Sequence, residues 1–311
     1  MLKAVKTTAY TDMKMGTAGL RKKSKVVLQE NYLENFVQSV FDAIGGVKGL
    51  TFILGGDGRY YNKTAIQKIM KMAAANGMKK MIVGQNGFIS TPASSHILLT
   101  NKADGGFVLS ASHNPGGING DFGIKYAVAS GGQCPTSVSD RIYEISKTIS
   151  EYKISDEPDV DLSKLGVQKL EEMEIEVIDP VKDYVEMMEN IFDFSAIKKL
   201  FANGFTMVFD AMNAVTGPYA RKIFEEILGA KQGTVLNYIP LEDFGGLHPD
   251  PNLIYAKTLV DLMYSDKAPD FGAANDGDGD RNMILGKKFF VTPSDSLAIL
   301  TDNYKLIPAY K

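Results

Sequence analysis

The sequence predicts an α/β protein built of two consecutive strand–turn–helix units, with the start of a third. Three observations carry this. Short apolar runs of strand length alternate with longer amphipathic segments, and glycine, proline or capping residues stand at the joints. A polar stretch closed by Asp179-Pro180 divides the chain. In the first unit, 1–180, Leu33, Phe36, Val37, Val40, Phe41 and Ile44 recur at helical spacing, which predicts a helix over 26–44 ended by Gly45-Gly46. Residues 51–54 read as a buried strand, 63–76 as a helix closed by Gly77, and 80–83 as a strand. Thr91-Pro92 is expected to supply an N-cap and first helical residue. The polar run 150–166 is expected to cross the surface. The second unit, 181–291, reads as helix 181–191, strand 206–209, helix 218–228, strand 234–239, helix 253–264 and a strand over 268–274. A strand over 289–291 and a helix over 295–304, capped by Ser294, open the third unit, 292–311, which stops almost at once.

The 311 residues suffice for two domains with real cores, and 44% hydrophobic with 23% charged residues is ordinary for a globular protein. A net charge of −3 argues against a general nucleic-acid binder, so any phosphate-binding cations must sit locally on loops. One cysteine, Cys134, excludes an internal disulfide and fits a reducing compartment. No run approaches membrane-spanning length and no signal-type segment opens the chain, so no membrane partner and a cytoplasmic location are expected. The sequence carries no signal for oligomeric state.

The most informative stretch is Asn275-Asp276-Gly277-Asp278-Gly279-Asp280-Arg281. Carboxylates at alternate positions, separated by glycines, can converge on one hard cation such as Mg²⁺, Mn²⁺ or Ca²⁺. Arg281 adds a planar cationic fork suited to phosphate. An acidic turn with no ligand is the bland alternative. An EF-hand fails on register: its sixth position is Arg281 and its twelfth Lys287, where glycine and glutamate belong. In a second motif, the apolar run Phe107-Val108-Leu109 breaks at Ser110-Ala111-Ser112-His113-Asn114-Pro115-Gly116-Gly117. Asn-Pro-Gly-Gly forces an exposed turn, so Ser112 projects from a rigid strand end as a candidate nucleophile or phosphate carrier. A Ser-His-Asp hydrolase is disfavoured, because no nucleophile elbow surrounds Ser112 and the acidic loop has no role in that chemistry.

These motifs together resemble the α-D-phosphohexomutase superfamily, in wording closest to its phosphoglucomutase branch. Thr17-Ala18-Gly19-Leu20-Arg21-Lys22 resembles the family's N-terminal phosphate loop, and Gly55-Gly56-Asp57-Gly58-Arg59 its first strand-to-helix turn. Asn119-Gly120-Asp121-Phe122-Gly123-Ile124-Lys125 resembles the segment with the active-site lysine, and Gly245-Gly246-Leu247-His248-Pro249-Asp250-Pro251-Asn252 its second-domain loop. Ala18, Leu247 and Ser110 depart from the serine, histidine and threonine usual there. The resemblance implies domains of mixed sheets flanked by helices: a phosphoserine-bearing domain over 1–180, a metal-binding domain over 181–291 and a truncated third from 292. It also implies that the chain is roughly the N-terminal half of a mutase, inactive alone or nearly so.

The implied reaction is Mg²⁺-dependent interconversion of glucose 1-phosphate and glucose 6-phosphate, a phosphosugar isomerisation through a phosphoserine and glucose 1,6-bisphosphate. Ser112 would carry the phosphate, and Asp276, Asp278 and Asp280, with phosphorylated Ser112, would hold the metal. His113, Lys125 and Arg21 would be catalytic; Thr17, Arg21, Arg59, Asn114, Lys125 and Arg281 would bind substrate or phosphate. Asn114 also shapes its turn, His248 is read as an organiser of the domain interface, and His96 as structural. The alternatives are a non-catalytic phosphoprotein or interaction protein on the same fold, or a mutase for mannose, glucosamine or pentose phosphates.

Overall fold

Thr51–Gly56 and Gly105–Leu109 are continuous buried runs, the pattern of strands covered on both faces, and they form the middle of a seven-stranded sheet. The computed structural model describes residues 2–16 and 18–310, and these divide into two units: Met1–Ala111 with Gly116–Pro180, and Ser112–Pro115 with Val181–Lys311. In the first unit the strands are β1 (Leu2–Lys6), β2 (Leu20–Lys23), β3 (Thr51–Gly56), β4 (Lys80–Phe88), β5 (Gly105–Leu109), β6 (Asp121–Val128), β7 (Glu151–Ser155), β8 (Gly166–Leu170) and β9 (Met173–Ile178). The sheet runs β2-β6-β5-β3-β4-β9-β8, parallel from β5 through β9 and antiparallel towards both edges. Helices α1 (Ser24–Val27), α2 (Tyr32–Ala43), α3 (Asn62–Ala75), α4 (Thr91–Thr100) and α5 (Thr136–Ser146) accompany it. The main core joins Phe36, Val40 and Phe41 of α2 and Ile66, Ile69 and Met70 of α3 to Phe52, Leu54, Phe107 and Leu109 of the sheet.

Three local expectations change in this unit. The helix expected over 26–44 is two helices, because Asn31 turns left-handed (φ 60°) just before α2. The cap of α4 is Ser90, one residue earlier than expected: its hydroxyl accepts from the Ala93 amide. The polar run after 150 begins as β7, antiparallel to β1 in the register Leu2↔Ser155. Beyond β7 the chain is strapped down by Gln67, whose amide side chain pairs with both the N–H and the C=O of Val160, and by Lys71 on Asp159 at 2.6 Å.

The second unit contains α6 (Pro180–Ile191), α7 (Phe194–Ala202), β10 (Met207–Asp210), α8 (Thr216–Ala220), β11 (Val235–Leu236), α9 (Lys257–Met263), β12 (Phe271–Asn275), β13 (Asn282–Gly286), β14 (Phe289–Val291) and α10 (Pro293–Asp302). Its five-stranded sheet runs β11-β10-β12-β13-β14, with β11, β10 and β12 parallel and the rest antiparallel. Alternation along β10 splits the core: Val208 joins Leu259, Met263 and Met283, while Met207 and Phe209 join Ala220 and Val235. The helix expected over 218–228 continues α8 as a wide-turned segment, Arg221–Ile227. The strand expected over 234–239 shrinks to β11, and the helix expected from 253 begins at Lys257. The cap of α10 is Thr292, in a capping box with Asp295, rather than Ser294. Leu297, Ile299, Leu300 and Leu306 are exposed. Among the described residues no helix is long and apolar enough to cross a membrane.

Candidate active site

β12 and β13 are antiparallel neighbours, and Asn275 pairs with Asn282 across the loop that joins them. Asp276 builds that loop. Its Oδ1 accepts the backbone N–H groups of Gly279, Asp280 and Arg281, each at 3.1 Å, and Asn275 Nδ2 closes the base on the Arg281 carbonyl at 2.7 Å. The turn brings carboxylate oxygens of Asp276, Asp278 and Asp280 within 4.8 Å of one another, the first two carboxylates buried and the third exposed. Burial, followed by the charge of Asp278, pushes the Asp276 carboxyl up to about 7, although the Ser112 hydroxyl pulls the other way. Hard oxygen ligands crowded this closely, two of them without solvent, fit a divalent cation.

Ser112 stands against this loop. Its Oγ donates to Asp276 Oδ2 at 2.7 Å, and the residue is 1% exposed. Its φ of 55° is rare for a serine and costs on the order of 1 kcal/mol or more. The strain turns the chain at the end of the strand-derived segment, and Ser112–Pro115 belongs by its contacts to the second unit. The next residue, His113, meets the Arg281 guanidinium through Nδ1. Asn114 is half-buried in the turn that follows.

In the first unit, β2 and β6 pair with Arg21 opposite Gly123. Residues two apart on a strand share a face, so Arg21 and Lys125 lie on the same side of the sheet. Gly123 between them admits no side chain, because a Cβ would strike the Ser110 carbonyl. Lys125 Nζ donates to Thr91 Oγ1 at 3.3 Å, a partner whose role the sequence reading reduced to helix capping. Arg59 is held inside the first unit. It is 1% exposed, its guanidinium grips Asp57 through Nε and Nη2, each 2.8 Å from Oδ2, and Nη1 donates to the Asp121 carbonyl at 2.9 Å. These contacts brace the loop after β3. Thr17 lies outside the described residues.

Comparison with known proteins agrees with this division. Residues 12–153 match the model for phosphoglucomutase/phosphomannomutase α/β/α domain I, and residues 182–288 match that for domain II. The chain belongs to the phosphoglucomutase/phosphomannomutase family. It is 59% identical to a phosphoglucomutase of Rhizobium radiobacter, over all of this chain and 57% of the relative, and 53% identical to a chloroplastic phosphoglucomutase of Brassica napus, over all of this chain and 50% of the relative. Among solved structures it superposes with a TM-score of 0.95 on the open form of the exocytosis-sensitive phosphoprotein pp63/parafusin, a phosphoglucomutase from Paramecium. That match is 46% identical over 98% of this chain and 58% of the other. The chain spans about half the length of the curated relatives it matches. Within the family's domain I match lie Arg21, Arg59, Ser112, His113 and Lys125; within its domain II match lie the three aspartates and Arg281. Asp57 was missed as Arg59's partner. An aspartate two residues before an arginine was the available signal, since that spacing allows one residue to cap and neutralise the other.

Proposed function

We propose that this chain carries the phosphoserine and metal-binding parts of a Mg²⁺-dependent phosphoglucomutase. The observation that carries the reading is the 2.7 Å hydrogen bond from Ser112 Oγ to Asp276 Oδ2, which joins the hydroxyl to the acidic loop. Names of relatives at 53–59% identity support glucose phosphate as the substrate. In this reading phosphorylated Ser112 gives its phosphoryl group to a hydroxyl of glucose 1-phosphate or glucose 6-phosphate. The resulting glucose 1,6-bisphosphate returns its other phosphate to Ser112. Asp276, Asp278 and Asp280 would hold Mg²⁺ with a phosphoserine oxygen, and the bound ion would supply Lewis-acid stabilisation of the transferring group. Arg281 and Arg21 offer guanidinium donors to phosphoryl oxygens. Lys125 and His113 are assigned proton transfer and phosphate orientation, and Thr17, Asn114 and Arg59 phosphate binding, Arg59 from its place in the loop after β3. The domains are 1–180, 181–291 and a third from 292. The single cysteine supports a reducing compartment, here the cytoplasm; the relatives include both cytoplasmic and chloroplastic forms.

The test is peptide mass spectrometry after incubation with glucose 1,6-bisphosphate and Mg²⁺, alongside a coupled glucose 1-phosphate assay. Phosphate on Ser112, absent in Ser112→Ala, is the expected result. Equal labelling of Ser112→Ala overturns it, and faster labelling by mannose 1,6-bisphosphate moves the substrate. Labelling without flux favours the second reading, a phosphoprotein. The description of the Paramecium relative as an exocytosis-sensitive phosphoprotein keeps that reading open.

A further inference from the structure

We infer that β8, at one edge of the seven-stranded sheet, pairs with β8 of a second copy of this chain about a two-fold axis at Gln168. The inference uses the first unit alone and stands apart from the phosphoserine reading. Among the described strands β8 pairs only with β9. In that ladder Lys169 lies opposite Glu174, and Val167 opposite Glu176. The Glu174 amide donates to the Lys79 carbonyl at 3.0 Å, so its backbone turns towards the chain entering β4 and away from β8. Opposed residues of an antiparallel pair either face each other or both face away. The N–H and C=O of Lys169, and of Val167 two residues before it, therefore point out of the sheet. Both residues are exposed, Val167 at 62%. Outward backbone groups of this kind on an edge strand are a template for another strand.

The edge selects its own partner and register. It is 5 residues long, because Gly166 has a φ of 111° at one end and Glu171 turns left-handed (φ 52°) at the other. A two-fold axis at Gln168 sets Val167 of each copy against Lys169 of the other. Every outward N–H and C=O of the strand then finds a partner. An axis at Val167 would set Lys169 against Leu165, before the turn at Gly166. An axis at Lys169 would set lysine against lysine, and Val167 against Glu171 in the hairpin turn. Charge agrees with the first arrangement. On β9, Glu174 and Glu176 share the single ammonium of Lys80, at 2.8 Å each. Lys169 has no ion pair among the described residues. In the two-fold pair, Lys169 of one copy lies beside Val167 of the other, and Glu176 is next across the ladder. Strands lie ~4.8 Å apart, so the lysine reaches over the short valine to this excess of carboxylate. Strands this short bury less than the about 1,200 Å² of a stable interface, so the pairing is weak and concentration-dependent.

The test is register-specific cross-linking of the full chain, with the one native cysteine changed by Cys134→Ser. At the axis Gln168 meets its own copy at a non-hydrogen-bonded position, where Cα atoms lie about 4.5 Å apart, inside the disulfide range. Gln168→Cys is expected to give a covalent dimer on mild oxidation. Its hydrogen bond to the Asp161 carbonyl, 2.8 Å, is lost, so thermal unfolding is followed alongside. Val167→Cys is the control: its copies are two residues out of register, beyond the about 7 Å at which a disulfide can close. Sedimentation of wild type should show reversible dimer growth up to millimolar chain. Lys169→Glu, at an exposed position, should leave unfolding unchanged and raise the dissociation constant roughly tenfold or more, by placing like charges together. Equal cross-linking of Gln168→Cys and Val167→Cys overturns the inference, as does association that Lys169→Glu leaves untouched. A chain that stays monomeric at millimolar concentration, with neither thiol cross-linked, overturns it as well.

Discussion

Two loops of this protein are spelled alike and do opposite things. Gly56-Asp57-Gly58-Arg59 follows β3, and Asp276-Gly277-Asp278-Gly279-Asp280-Arg281 follows β12. Each places a buried carboxylate at the end of a strand, with an arginine shortly after. In the first, one guanidinium closes on one carboxylate, both side chains wholly out of solvent. In the second, the exposed arginine reaches His113, while three carboxylates crowd within 4.8 Å and Asp276 is held well above its usual range. The difference lies in charge arithmetic. A carboxylate matched one-to-one inside the protein is a brace; carboxylates in excess, sharing a small volume, call for a cation from outside.

The largest expected effects separate the two arginines. Arg59→Ala leaves Asp57 buried without its counter-charge, which costs about 3–5 kcal/mol. Urea unfolding of the first unit should shift accordingly, and Asp57→Leu with Arg59→Met should recover part of the loss. Arg281→Ala, at an exposed position, should change stability by about 0.5 kcal/mol or less. It should instead slow phosphorylation of Ser112 by roughly 10²–10³, the scale for losing one donor at a developing charge. Reversed results would show that the brace and the site have been exchanged.

The spelling of the two loops does not separate these arrangements, and the reason is physical. Asp-Gly-Arg after a strand reads the same whether the arginine turns inward to its own aspartate or outward to a ligand; only the burial of β3 and the Asp121 carbonyl decide it. The three aspartates were legible because their alternation with glycine is itself the geometry of a turn. β3, β4 and β10 were legible as apolar runs. β9 was not assigned, although Met173, Ile175 and Val177 are buried in alternation with half-buried Glu174 and Glu176, a pattern of strand period. β1 and β7 were not: their pairing joins residues near 2 to residues near 155, and neither segment is apolar enough to read alone. Ser112's left-handed backbone and the stacking of the His113 and His248 rings belong to the same class. They come from contacts across long sequence separations rather than from local pattern.

The acidic loop should also make its own pH dependence. In metal-free protein the folded-state Asp276 carboxyl titrates at about 7 and the unfolded one near its ordinary 3.8. Between these values the folded state holds the extra proton. Stability is therefore greatest below about pH 4 for this group and falls as pH rises towards 7, by on the order of a few kcal/mol. The Asp57–Arg59 brace has no such excess of carboxylates. Thermal unfolding of the second unit followed from pH 4 to 8 should show the fall, and Mg²⁺ at the upper end should reverse it by binding the folded state. Asp278→Asn removes one charge from the crowd. It should flatten the metal-free profile and weaken Mg²⁺ binding in calorimetric titration of phosphorylated protein. Unchanged affinity would place the ion elsewhere.

The smallest effects compare the glycines of the two loops. Gly58 and Gly279 both have left-handed backbone, φ 83° and 78°. Alanine at either position must adopt a conformation that costs on the order of 1 kcal/mol. At Gly58 a second cost is added, because a Cβ there would run into the ring of Phe88 at the end of β4. Gly58→Ala should therefore destabilise the first unit by clearly more than 1 kcal/mol. In Gly279→Ala the strain falls on the turn whose amides Asp276 Oδ1 gathers, so its mark should be on metal affinity as much as on unfolding. Measuring both substitutions by unfolding and by Mg²⁺ titration separates the two designs at single-atom scale. If Gly279→Ala weakened stability alone and left the cation untouched, the Asp276 turn would be a brace like the first.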